Sequence, residues 1–215
     1  MSMNSSLARH IGLIYGLSSY ALFPVVFLYA AGFVGNIWVP KGIDSNPGQP
    51  FVVALAIDLG LLGLFALQHS GMARPAFKRW LAGWLPRPLE RSTYVLFSSL
   101  ALLLLFWLWE PLGGQVWKLD SSAARWGMTA LGIGGWLLVL ASTFLIHHFD
   151  LFGLRQVGLY WLGREYPPLP FRTPSLYRYV RHPLYVGWLL AFWCTPTMTL
   201  SHLCFAVVTT AYILA

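Results

Sequence analysis

Charge is what this sequence has least of. Asp, Glu, Lys and Arg make up 10% of its 215 residues, against about a quarter in an average soluble domain. With 57% hydrophobic residues, a water-soluble core is excluded. Cysteine is nearly absent: Cys194 and Cys204 lie in apolar stretches without CxxC spacing, which supports neither a disulfide framework nor a zinc site. No small-residue cleavage site follows the first apolar run, and only Arg9 precedes it, so that run reads as an anchor helix and not as a removed signal. The net charge of +7 is spread between apolar runs without one basic cluster, a pattern of membrane topology that sets nucleic acid aside as a partner.

What is present is apolar length. Six apolar segments cover about 11–34, 51–67, 94–109, 126–146, 184–198 and 200–215. At roughly 20 residues per bilayer crossing, they predict an all-α, polytopic transmembrane bundle of five to six helices, one domain over 1–215. Gly60, Gly63, Gly132, Gly134 and Gly135 within them suit close helix packing in lipid. Of 14 Lys and Arg, all but Lys41, Lys118 and Arg125 fall at the N-terminus or in the loops 69–93 and 147–183. The positive-inside rule places those parts in the cytoplasm. Trp38, Trp80, Trp84, Trp109, Trp117 and Trp161 near segment ends read as interfacial anchors.

Three polar clusters stand out. In the first, Arg181, His182, Pro183, Leu184, Tyr185 and Gly187 open the fifth apolar segment. Pro183 suits the first turn of a helix, where its missing N–H would be unpaired anyway. The helix N-terminus then offers free N–H groups and a partial positive charge to an anion. Gly187 would let a ligand approach the backbone, while Arg181, His182 and Tyr185 add a charge, an imidazole and an aromatic face. The competing reading is a juxtamembrane pair snorkelling to lipid headgroups. In the second cluster, His147, His148 and Asp150 end the fourth segment; on a helix His147 and Asp150 would share a face, yet a metal would lack a further ligand. The same histidines also fit a helix C-terminus, where cations are favoured. The third gathers Gln68, His69, Ser70 and Arg74 with Glu90, Arg91 and Tyr94. Polar groups at membrane depth face a bundle interior. Arg74 or Arg91 with Glu90 is either a loop-locking ion pair or a substrate contact, and Asp58 stands as a mid-membrane carboxylate.

The stretch RHPLYVG at 181–187, with Tyr177 ahead of it, resembles the RHPxYxG signature of the isoprenylcysteine carboxyl methyltransferase and phospholipid methyltransferase superfamily. QHSGMAR at 68–74, ERSTYVL at 90–96 and HHFDLFGLRQ at 147–156 look like its nurim-type branch, and within that branch like the bacterial methanethiol S-methyltransferases, which make dimethyl sulfide. The likeness covers roughly 50–210. It implies an S-adenosylmethionine site outside a Rossmann context, and the chain has no GxGxxG. By position, Tyr177, His182, Pro183, Leu184 and Tyr185 would line that site, with Gln156, Phe171 and Arg172 as further contacts. The resemblance also implies a small thiol as substrate, membrane lipids as surroundings and a bacterial inner membrane. A thiol is mostly protonated near neutral pH, so His147, His148 or Asp150 would serve as its base, and His69, Arg74 and Tyr94 would contact it. Methylation of an isoprenylcysteine carboxylate or phospholipid, or a non-catalytic nurim-like role, are the alternatives. Relatives continue into a segment with paired glutamates and an FGxxYxxY-like stretch, whereas this chain stops at Ala215, which leads us to expect a missing C-terminal cytoplasmic segment.

Overall fold

The computed structural model describes residues 5–167, 180 and 182–215. Four of its helices are long and apolar enough to cross a membrane: α1 (Ser5–Gly35), α2 (Phe51–Ala73), α4 (Glu90–Leu108) and α5 (Ser122–Leu145). Between them lie α3 (Pro75–Leu81), a 3₁₀ turn at Arg87–Leu89 and the strand β1 (Gln115–Lys118). After α5 come α6 (His148–Leu151), α7 (Leu154–Trp161), α8 (Pro183–Trp193), β2 (Thr197–Thr199) and α9 (Leu200–Leu214). The protein is therefore the helical membrane bundle that its apolar runs predict.

Two boundaries differ from the sequence reading for local reasons. The fifth apolar segment does not continue to residue 198, because Pro196 cannot extend a helix. Instead α8 ends at Trp193 and the chain runs extended into β2, which pairs antiparallel with β1. There Leu119 N–H donates to Pro196 O at 2.9 Å. Such pairing satisfies backbone groups that would be costly to leave bare at membrane depth. At the other end, α2 runs to Ala73 and α4 begins at Glu90, beyond the limits of the apolar runs, which leaves His69 and Ser70 at the end of one helix and Arg91 at the start of the next, as the sequence suggests.

α1 packs on α4 and α7, α2 on α4 and α9, and α5 on α8. The α5–α8 contact brings backbone onto backbone. A Cβ on Gly132 would stand 2.6 Å from Cys194 O, one on Gly135 2.5 Å from Ala191 N, and one on Gly187 2.9 Å from Val139 N. Gly60, Gly63 and Gly134, which the sequence groups with these, have nothing within 4 Å of an added Cβ. Helical periodicity turns Gly134 away from the face that Gly135 presents.

The apolar core, with Phe33, Ile43, Phe106, Trp109 and Phe205, sits toward the end opposite the basic loops. Asp58 also lies there: it is fully buried and its Oδ1 accepts from Glu110 N–H at 2.8 Å, beside the Lys41–Glu110 ion pair at 3.4 Å. Asp58 thus stands two turns inside α2, itself an apolar span.

Candidate functional site

The basic end of the bundle is assembled from the N-termini of α4 and α8 and the C-termini of α2, α5 and α9. Pro183 occupies the first turn of α8, with His182 preceding it as the cap residue, as the sequence predicts. His182 and Tyr185 are exposed and their rings stack at 5.1 Å, whereas Pro183 is buried and Leu184 half-buried. Gly187 differs from expectation: the space a side chain would take is filled by Val139 and Gly135 of α5, so its close approach is to a helix and not to a ligand. Phe171, Arg172, Tyr177 and Arg181 lie outside the described residues.

His147, His148 and Asp150 do not act as one unit. α5 stops at Leu145, and the chain reverses at His147 in a left-handed conformation, φ 67°. His147 is exposed as the cap of α6, and the shared helical face expected for His147 and Asp150 does not form. His148 is buried, 4% exposed. Its ring stacks on Phe144 at 4.1 Å and 4°, with Phe23, Phe149 and Phe152 around it. Thr143 donates its hydroxyl proton to Leu140 O at 2.7 Å, so toward His148 Nδ1, also 2.7 Å away, it must accept. The proton of the neutral ring is thereby placed on Nδ1, and Nε2 accepts from the Tyr20 hydroxyl at 2.9 Å. Burial holds this imidazole below its usual range.

Asp150 faces away from the histidines into a cationic knot. Its carboxylate meets Arg91 Nη1 at 2.8 Å, Arg155 Nη1 at 3.1 Å and the Tyr166 hydroxyl at 2.9 Å. Its backbone carbonyl accepts from Arg91 Nη1 at 2.7 Å and from Gln156 Nε2 at 3.1 Å. Burial, the Asp150 hydrogen bond and its charge together push the Tyr166 phenol up. The Arg91 partner is thus Asp150, and Glu90 pairs instead with Lys78 at 3.1 Å. Neither ion pair involves Arg74, exposed between α2 and α3.

Of the third cluster, only Gln68, His69 and Tyr94 come together, around Ser98. His69 Nε2 lies 2.7 Å from the Tyr94 hydroxyl and Nδ1 3.2 Å from Ser98 Oγ, with Phe65 stacked at 5.1 Å. Ser70 Oγ meets the Tyr212 hydroxyl at 2.8 Å, tying α9 to α2. Among the described residues no group of His, Cys, Asp or Glu is arranged to hold a metal ion. Sequence reasoning missed Tyr20, Thr143, Ser98, Tyr166 and Tyr212. The one available signal was a tyrosine inside a long apolar run, away from the interfacial belt.

Comparison with known proteins gives this arrangement a class. The chain is 57% identical over 98% of its length to a methanethiol S-methyltransferase of Crocosphaera subtropica, covering 83% of that protein. It is 50% identical over 96% of its length to one of Mycobacterium tuberculosis, covering 84%. Nurim of Sus scrofa is 35% identical over 84% of this chain, which covers 74% of it. No family model and no solved structure matches. Fold and relatives together define a polytopic integral membrane methyltransferase. The chain belongs to the methanethiol S-methyltransferase family.

Proposed function

We propose that this protein methylates methanethiol with S-adenosylmethionine as the methyl donor, releasing dimethyl sulfide, and that its basic end faces the cytoplasm of a bacterial inner membrane. The observation that carries the reading is the 57% identity, spanning 98% of the chain, to a protein named for that reaction. The basic loops and the positive-inside rule support the orientation.

The described residues fit such a donor. Gln156 is buried at 7% exposure and its Nε2 is committed to Asp150 O, which leaves Oε1 without a hydrogen-bond partner among the described residues. An unpaired buried amide oxygen is costly, and the donor's hydroxyl or ammonium groups are of the kind that would satisfy it. His182 and Tyr185 would hold its aromatic or carboxylate parts at the start of α8, where the backbone N–H groups add a partial positive charge. When bound, S-adenosylmethionine supplies a methyl group on a positively charged sulfur. The task of the chain's own residues is to fix the acceptor in line, exclude water and take the thiol proton. His69 and Tyr94, hydrogen-bonded and half-buried between α2 and α4, are candidates for contact with the acceptor. A small apolar thiol partitions into lipid, which is a physical reason for a membrane-embedded pocket.

Membranes containing the protein, incubated with methanethiol and S-adenosylmethionine, are expected to release dimethyl sulfide into the headspace above the level of empty-vector membranes. Absence of that product would overturn the reading, and methyl transfer to lipid in its place would favour a lipid-modifying enzyme. His182→Ala is expected to weaken S-adenosylhomocysteine binding in calorimetry by about tenfold, the loss of one contact worth about 1.4 kcal/mol.

A further inference from the structure

We infer that Tyr20 and His148 form the proton acceptor for the thiol, with Tyr20 the residue that touches it. The inference rests on the proposed methylation of a thiol and adds a residue from α1 to its chemistry.

Three observations carry it. The first is direction. Thr143 commits its proton to Leu140 O, so His148 holds its own proton on Nδ1 and presents the Nε2 lone pair to the Tyr20 hydroxyl. The pair is thus set to take a proton inward from the Tyr20 oxygen. That oxygen retains acceptor capacity while it donates. The second is place. Gly132 of α5 meets Cys194, Gly135 meets Ala191, and Val139 meets Gly187. Continued by one helical turn, this antiparallel register sets Thr143 level with Pro183, at the start of α8. His148, hydrogen-bonded to Thr143, is thereby set at the level of the helix end proposed for the donor. The third is access. The imidazole is 4% exposed, whereas Tyr20 is half-buried, so of the pair it is Tyr20 that a small apolar thiol can reach.

The groups around the imidazole are Tyr20 and Phe23 from α1, Thr143 and Phe144 from α5, and Phe149 and Phe152 from the chain beyond. The nearby charges on Asp150, Arg91 and Arg155 are engaged with one another. An uncharged ring in an apolar box is in the form that accepts a proton at neutral pH.

The step balances. The thiol S–H gives its proton to the Tyr20 oxygen as Tyr20 passes its own to His148 Nε2. The thiolate sulfur then forms a bond to the methyl carbon, the bond from that carbon to the donor sulfur breaks, and its electron pair stays with the donor. One positive charge enters on the donor and one remains on the imidazole. It leaves as a proton to water, back through Tyr20, once the products have gone.

Tyr20→Phe removes the hydroxyl and keeps the ring. With methanethiol, turnover of the full chain in membranes is expected to fall about 100-fold, the usual size of a lost acid–base group. With methaneselenol, a far stronger acid that is ionised without help, turnover is expected to stay within about threefold of wild type, since no acid–base contribution is then needed. Binding of S-adenosylhomocysteine, read by calorimetry, should not change. Thr143→Val, which removes the acceptor that fixes the Nδ1 proton, should show the same selenol-sparing pattern with a smaller loss. Equal losses on both acceptors, or no loss with the thiol, would overturn the assignment. If the wild-type chain methylates neither acceptor, the thiol methylation itself is wrong, and the proton acceptor falls with it.

Discussion

Replacing Gly135 by valine will abolish dimethyl sulfide formation, while the same change at its neighbour Gly134 will be tolerated. A Cβ at Gly135 stands 2.5 Å from Ala191 N and 2.7 Å from Gly187 O, both backbone atoms of α8 that no side-chain rotation can move aside. Overpacking in a well-filled core costs about 1–3 kcal/mol, and in lipid there is little hydrophobic drive to hold the helices together against it. α8 must then shift away from α5, carrying His182 and Tyr185 with it. At Gly134 an added Cβ meets nothing within 4 Å. Headspace analysis of membranes at matched protein content checks both variants. Activity retained in Gly135→Val would show that the α5–α8 contact does not position the site.

Asp150→Ala is expected to lower the unfolding temperature in detergent by about 5–10 °C. Its carboxylate is the common acceptor for Arg91, Arg155 and Tyr166, and removal leaves two guanidinium groups facing each other. Deleting one partner of a fully buried pair costs about 3–5 kcal/mol. Here the arginine side chains are 42% and 27% exposed, so water recovers part of that, and about 2–3 kcal/mol is the reasonable loss. For a chain of this size each kcal/mol corresponds to roughly 2–4 °C. Lys78→Ala, which breaks a pair with side chains 44% and 30% exposed, should cost less than about 1 kcal/mol. Tryptophan fluorescence on heating reads all of these. If Asp150→Asn instead lost turnover at an unchanged melting temperature, Asp150 would be a base and not a fastening.

The helical bundle was legible because lipid imposes a length and a composition on every crossing, and the six apolar runs correspond to α1, α2, α4, α5, α8 and α9. Pro183 could be placed at a helix start for a reason intrinsic to proline. The pairing of polar groups was another matter. Periodicity put His147 and Asp150 on one face, but that holds only if the helix continues, and nothing in HHFD announces the left-handed turn at His147. Arg91 and Asp150, or Tyr20 and His148, are partners through tertiary approach, 59 and 128 residues apart, which a local pattern cannot encode. Gly187 was misread for the same reason: a glycine signals close approach, and only the packed structure says of what.

The helices are of unequal length. α1, with 31 residues, measures about 46 Å, whereas α8, with 11, measures about 16 Å. A bilayer whose apolar core is about 30 Å thick meets a tall wall on one flank and a low one on the other. Lipid tails beside α8 must compress or tilt to match, at a cost of fractions of a kcal/mol per Å. The protein thus carries a built-in hydrophobic mismatch along α8, the helix whose N-terminus opens the proposed donor site.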